Sequence, residues 1–433
     1  MVSLQPPNSS SLQSLSIPIL QIGPKTEHLA LASQHGWNIE FIRRSTKIDR
    51  HLPSHSISFI AQRGSAQWHI RATFLGEPSG QETGQKVYWP KRWHDFRALC
   101  RYINFDPLPL LDDKFTELFI TPKPDPSTTA QLLPLKELPS SDSDYATFRK
   151  ASLWFHVREY PEYTRYPLHI GSGRTIHLRN IQRVEDINSH EHVNTARISG
   201  DERQYVYKGV DRLIYFPHDT KVLEQELRNL ELFHGSKRIV QLVAAVISSS
   251  PYQSRESGAS PPVLRGILLE YHPNGTLHDV LQSPEPWMHS SSWWLRWAFD
   301  ISTALAYMHQ MGVTHMDLKP KNVVMSKEWN AIIIDVSGIG GTTDEWLLPE
   351  LFESLDRCSE SWELRVQSDT WALGKILALM VKAMNGSGKE EEKLLLFQIA
   401  QDVERTRGCI SLAAISDRLS QVVASIDGLV DNE

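Results

Sequence analysis

At 433 residues, 40% of them hydrophobic, the chain is long enough for two packed domains or one large domain with an extension. Its formal charge of -6 gives no footing for binding nucleic acid or an acidic membrane surface. The three cysteines, Cys100, Cys358 and Cys409, are too scattered for a disulfide framework or a zinc site, which points to a reducing compartment, cytoplasmic or nuclear.

No apolar run reaches membrane-spanning length, and the weak apolar patch from Leu15 to Ile22 lacks the preceding positive charge of a secretory signal. Residues 1–24, rich in Ser, Gln and Pro, are expected to be disordered. Residues 25–120 read as a small α+β domain of no recognised family. There, Ser56 to Ala61 and Gln67 to Phe74 alternate around a Gly-Ser turn as a β-hairpin, and Trp89 to Ile103 forms an aromatic-rich helix. Trp37, Trp68, Trp89 and Trp93, with Arg43, Arg44, Lys91 and Arg92 nearby, suit either a small core or a surface for an unidentified partner; residue type favours the core. The Pro, Ser and Asp clusters from Thr121 to Asp144 read as a linker, and residues 145–177 as an aromatic-rich connector. His190, Glu191 and His192 have no second ligand cluster and read as a solvated loop, as do His289 and His309.

Further along, Gln204-Tyr-Val-Tyr-Lys-Gly209 alternates as a half-buried strand, and Asp219 to Phe233 is an amphipathic helix carrying Glu226. Gly266 to Leu277 is an apolar strand running into an Asn274-Gly275 turn. Trp294 to Met311 has apolar residues at helical spacing and predicts a buried helix. It leads into His315-Met-Asp-Leu-Lys-Pro-Lys-Asn322. Here a carboxylate, a lysine two residues later and an amide five residues later make a compact set suited to moving a phosphoryl group beside magnesium. Asn322 to Met325 and Ala331 to Ile334 read as short strands, the second ending at Asp335. Thr343-Asp-Glu-Trp-Leu-Leu-Pro-Glu350 and Ser368-Asp-Thr-Trp-Ala-Leu-Gly374 follow.

The order of these segments resembles the protein kinase superfamily, over residues 178–430. The loop at 315–322 is similar to HRDxKxxN, Asp335-Val-Ser337 to DFG, Thr343 to Glu350 to TxxYxAPE, and Ser368 to Gly374 to SDVWSLG. The resemblance implies an α+β, bilobal protein-kinase-like fold, a small β-rich N-lobe and a helical C-lobe, behind the small α+β N-terminal region. It also implies ATP and Mg2+ as cofactors and a protein substrate.

Residue by residue, it implies Asp317 as the base for a substrate hydroxyl, Lys319 steadying the transferred phosphate, and Thr343 bonding both. Asn322 and Asp335 would ligate magnesium. Lys208, in the place of the VAIK lysine, would hold the α- and β-phosphates, paired with Glu226 or, failing that, Glu224. Val206, Leu269 as gatekeeper, Glu270, His272 and Val324 would surround adenine. Asp369 would cap the catalytic-loop backbone, and Glu350 would take a buried arginine, Arg405 or Arg407.

Three departures bear on activity. Ile187 to Asn194, matching the GxGxxG segment, contains no glycine, although glycine is what lets backbone N–H groups approach phosphates closely. Val336 and Ser337 replace Phe and Gly. Met316 replaces the arginine that receives a phosphorylated activation loop, and that segment is short. The lysine at 319 accompanies serine/threonine specificity in the family. An atypical serine/threonine kinase not switched by loop phosphorylation is therefore expected. A pseudokinase scaffold and a small-molecule kinase are the alternatives.

Overall fold

The computed structural model describes residues 36–430 apart from 49–52, 77–88, 125–128, 138–147, 149–151, 170–172, 189–191, 212–214, 256–260, 283–292 and 385–389. The expected disordered segment at 1–24 lies outside the described residues, as do His190, Glu191 and His289.

The first sheet has six strands: β1 (Trp37–Ile48), β2 (Pro53–Arg63), β3 (Ala66–Leu75), β4 (Phe115–Thr121), β5 (Gln131–Leu132) and β6 (Trp154–Glu159), in the order β1-β2-β3-β4-β6-β5. Residues alternate along the strands, so Ile57, Phe59 and Ala61 of β2 and Ile70, Ala72 and Phe74 of β3 share one face. They pack with Phe96, Leu99 and Ile103 in and just beyond helix α1 (Trp89–Tyr102). The helix is the crossover that the parallel pairing of β3 with β4 demands. Trp37, Trp68 and Trp93 are all buried here, and the indole N–H groups of Trp37 and Trp68 donate to Asp106 and Asp112. These tryptophans form core.

The sheet runs past the boundary expected at residue 120. β6 pairs antiparallel with β4, and Leu133 is buried in the same core, its N–H bonded to Leu153 O. Residues 131–136, in the stretch expected to be a linker, line the sheet because Gln131 and Leu132 pair with Phe155 and Trp154 of β6 and Leu133 is buried, while Leu132 itself is exposed.

The second sheet contains β7 (Thr175–His177), β8 (Ile181–Asn188), β9 (Val193–Ile198), β10 (Tyr205–Gly209), β11 (Leu242–Ser248) and β12 (Val263–Glu270), ordered β7-β11-β12-β10-β9-β8. Helix α2 (Pro217–Leu232) lies between β10 and β11 in sequence. Beyond the sheet come α3 (Leu277–Gln282), α4 (Trp293–Gln310), the hairpin β13 (Val323–Met325) and β14 (Ala331–Ile333), then α5 (Trp362–Ala383), α6 (Glu390–Arg405) and α7 (Leu412–Val430). The helical part is built on α4, whose fully buried Trp294, Trp297 and Leu305 share a core with Leu373 and Ile376 of α5, Ile399 of α6 and Ile415 of α7. A β-rich lobe sits on a helical lobe, joined where Val240 N–H donates to Ile333 O and Ile333 N–H to Arg238 O.

Candidate functional site

The site lies where the loop after α4 meets β14, β10 and α2. Asp369, nearly inaccessible inside α5, fixes that loop through its backbone. Its carboxylate accepts from His315 N at 2.7 Å and Met316 N at 2.8 Å, and the His309 ring nitrogen lies 2.9 Å away. Met316 is held at φ 65, a conformation that costs a non-glycine residue on the order of 1 kcal/mol and persists only where its surroundings impose it. Its side chain is buried with Leu347, Leu348 and Leu351, so apolar packing on the end of the activation segment stands where the family has a cation.

With the loop fixed, its charged groups converge. Lys319 Nζ donates to Asp317 Oδ2 at 2.6 Å and to Thr343 Oγ1 at 2.9 Å. Asn322 Nδ2 donates to Asp317 O at 2.9 Å and to Oδ2 at 3.2 Å. Asp317 Oδ1 is buried and, among the described residues, accepts nothing. Thr343, expected to bond both Asp317 and Lys319, bonds Lys319; the lysine stands between the other two.

Asp335 follows β14, with Ile334 N–H on Asn322 O and Ile334 O against the His315 ring, and it too has a positive φ of 61. Lys208 Nζ reaches across from β10 to Asp335 Oδ1 at 2.5 Å and to Glu226 Oε2 of α2 at 2.7 Å. Glu226 is buried and Glu224 is not, so the helix presents Glu226 to the lysine. Burial alone would lower the Lys208 ammonium, but Asp335 and Glu226 outweigh it and hold its pKa above the ordinary lysine value. Burial likewise pushes the Asp335 carboxyl up, and the opposing Lys208 charge, with smaller help from His315 and Lys319, brings it below the ordinary aspartate value. Both groups are charged at neutral pH.

Val206 lies opposite Leu269 in the β10–β12 register, and both join Val324 at the large core cluster. The three apolar residues expected around adenine thus share one cluster. The Glu270 N–H donates to Gln241 O, and its side chain accepts from Gln241 N, so that N–H is committed to the fold rather than to a nucleotide. His272 lies 3.2 Å from the same carboxylate.

The glycine-free hairpin β8–β9 is solvent-exposed along most of β8, with two register irregularities. Its anchor is His192, at φ 56, whose carbonyl accepts from Gly209 N at 3.0 Å and whose ring lies against Tyr207. A Cβ on Gly209 would meet that ring at 2.8 Å, so the glycine that allows close approach is on β10.

Several residues here carried no distinct sequence signal. Asn229, one turn after Glu226 on the same face of α2, donates to Val336 O at 2.6 Å and Ser337 O at 3.1 Å; its one legible trace is a polar residue three positions from Glu226 on a buried face. Gly338, rather than residue 337, has the positive φ, and a Cβ there would meet Thr314 O at 2.5 Å. Arg357 donates to Thr342 Oγ1 at 2.9 Å and pairs with Asp344, tying the activation segment down. Glu350 takes Arg407, not Arg405, which pairs with Asp402 instead. Contrary to expectation the Glu350–Arg407 pair is half-exposed.

A two-lobed fold whose cleft gathers a lysine–glutamate pair, a catalytic-loop aspartate and a strand-borne aspartate defines a protein kinase domain. A family model for the protein kinase domain matches residues 190–426, more than half of the chain. The chain belongs to the protein kinase family, as a divergent member in its C-terminal part. It is similar to the serine/threonine/tyrosine-protein kinase HT1 of Arabidopsis thaliana, 31% identical over 148 residues, 30% of this chain and 34% of that one. It is similar also to the serine/threonine-protein kinase ksp1 of Schizosaccharomyces pombe, 29% identical over 147 residues, 30% of each chain. A third relative is the probable inactive leucine-rich repeat receptor kinase XIAO of Oryza sativa subsp. japonica, 33% identical over 81 residues, 17% of this chain and 7% of that one. The match to the first two spans about a third of their own length.

Proposed function

We propose that this chain is an atypical serine/threonine protein kinase that transfers the γ-phosphate of ATP to a protein hydroxyl, without a phosphate switch in its activation segment. The observation that carries the reading is the state of Asp317. One carboxylate oxygen is held by Lys319 and Asn322, and the other is buried with its acceptor capacity unused, as a base for an incoming hydroxyl requires.

In this reading Asp317 takes the hydroxyl proton as the new O–P bond forms and the bond to the β-phosphate breaks, leaving ADP. Lys319 balances charge on the transferred group, and Lys208 holds the α- and β-phosphates. The donor set suits magnesium. Asn322 commits its amide nitrogen to Asp317, which would leave its amide oxygen for the ion, and Asp335 would supply an ionised carboxylate. Among the described residues no three His, Cys, Asp or Glu gather as a metal site, and magnesium needs only one or two carboxylates alongside phosphate oxygens. The ion would neutralise phosphate charge.

Met316 packing and the Arg357–Asp344 pair support a segment held in place without phosphorylation. No helix of the described residues is long and apolar enough to cross a membrane, and a cytoplasmic or nuclear setting fits the proposed substrate. The glycine-free hairpin favours a second reading, a pseudokinase that binds or scaffolds, and one relative is named as probably inactive.

Transfer of labelled γ-phosphate from MgATP to the chain and to a basic protein decides between them. Wild type should label, and Asp317→Asn should lose about 100-fold or more while melting at the same temperature. Equal silence from both folded proteins would leave the pseudokinase reading.

A further inference from the structure

The helix that carries Glu226 is held from two sides. Toward the cleft, Glu226 meets Lys208 and Asn229 meets the backbone after Asp335. Thr220 lies six residues before Glu226, about 9 Å back along the axis and about a third of a turn away around it. It faces a different neighbour, the chain that precedes the kinase domain.

Thr220 Oγ1 donates to Arg165 O at 2.9 Å, Arg165 N donates to the Tyr215 hydroxyl at 3.0 Å, and the two hydroxyls are 2.6 Å apart. The one Thr220 proton is used on Arg165, so the Tyr215 O–H donates to Thr220. The three bonds form a closed ring around residue 165. Immediately afterward Leu264 N donates to Pro167 O, and β7 pairs with β11. Residue 165 is thereby fixed against the N-lobe.

The chain before it is fixed against the first sheet. Tyr252, in the loop between β11 and β12, packs its ring on His69, Phe115, Tyr163 and Tyr166, with centroids 5.1 to 5.6 Å apart. Buried Ser254 completes a clasp: its N–H donates to Asp113 Oδ1 at 2.9 Å, its Oγ accepts from Asp113 N at 2.8 Å, and its carbonyl accepts from Gln67 N at 2.8 Å. Directed hydrogen bonds to backbone have a set length and angle. A segment so held transmits displacement in a way that a greasy covering does not.

We propose that residues 163–167, backed by the first sheet, position the Glu226 helix, with Tyr215 and Thr220 as positioning residues for the Lys208–Glu226 pair. This deepens the kinase reading and rests on it for the nucleotide-affinity and turnover measurements below, while amide exchange of the helix is independent of it.

The test uses the full chain and three variants, Thr220→Val, Thr220→Ser and Ser254→Ala. Amide exchange over residues 217–232 and calorimetric affinity for MgADP are read for each, with KM for ATP against kcat where transfer is present. Thr220→Val should speed exchange of α2 and weaken MgADP by about fivefold to tenfold each, raising KM more than it lowers kcat. Thr220→Ser should restore wild-type values, and Ser254→Ala, remote from the helix, should shift α2 exchange the same way by less. Unchanged exchange and affinity in folded Thr220→Val overturn the proposal, as does a Thr220→Ser protein that behaves like the valine variant. Should Thr220→Val fail to fold, Tyr215→Phe removes the hydroxyl that makes two of the ring's three bonds and is judged by the same values. Exchange and MgADP binding need no phosphoryl transfer, so a catalytically silent chain still yields a decision.

Discussion

The two walls of the cleft are built to different standards. On the catalytic-loop wall, Asp317, Lys319, Asn322 and Asp369 each make two or more hydrogen bonds, and the loop is locked to α5. On the hairpin wall, β8 is exposed over most of its length, its pairing slips twice, and its anchor is a histidine in a left-handed conformation. The contrast teaches that in this chain the groups proposed to move a proton and a phosphate are over-determined, whereas the hairpin proposed to cover the nucleotide is loosely held. Chemistry and substrate grip are separate constraints on one fold.

The largest effect on that contrast should come from Asp369→Ala. It leaves two buried N–H groups, His315 and Met316, without acceptors, a loss of about 4 kcal/mol in chemical denaturation, and it should abolish transfer through a displaced loop. A stability change below about 1 kcal/mol would show that the loop wall is not rigid in the way described.

Next is Lys208→Met, which strands the Glu226 and Asp335 carboxylates and should cost about 3 kcal/mol. Its pH dependence follows from the two shifts. Asp335 is depressed in the fold, so its contribution is complete above 3.8 and is lost as pH falls through the lower folded value. Lys208 is raised, so its contribution is complete below 10.5 and is lost only as pH climbs through the higher folded value. The wild-type contribution of the pair should be flat between those limits. In the variant, burial with no opposing ammonium pushes the stranded carboxyls up, so the stability difference should grow as pH rises above the ordinary carboxylate range. A difference independent of pH there would contradict the charge states assigned here.

The smallest effect is expected on the hairpin wall. His192→Gly relieves the left-handed strain but removes the ring that packs on Tyr207, leaving stability within about 1 kcal/mol and tightening MgATP a few fold. A loss of nucleotide affinity would mean that the histidine itself grips the nucleotide, which would narrow the difference between the walls.

What could be read from the sequence follows the distance over which each feature is encoded. The helix from Trp293 to Gln310, the loop at 315–322 and the strand before Asp335 were legible because periodicity and short spacing specify them locally. The Ser368 to Gly374 motif was legible because it is contiguous, although it lies inside α5 rather than at its start. The membership of β6 in the first sheet was not, since Trp154–Glu159 finds β4 more than thirty residues back. Choosing Arg407 over Arg405 for Glu350 needed the turn between α6 and α7, where Arg407 has φ 51. The Ser254 clasp joins residues 141 positions apart, and a serine in a polar loop carries no mark of such a partner.

That clasp also sets an order of events during synthesis. The first sheet is complete once β6 has been made, roughly ninety residues before Ser254 exists, which at ribosomal rates of about 5–20 residues per second is several seconds. Through that interval the Phe115 and His69 rings lack Tyr252, although Phe115 already meets Tyr160 and Tyr163, and the backbone of Asp113 and Gln67 has no serine to bond. Where the first sheet folds as it emerges, translation speed between β6 and β12 sets how long these groups wait for their partners.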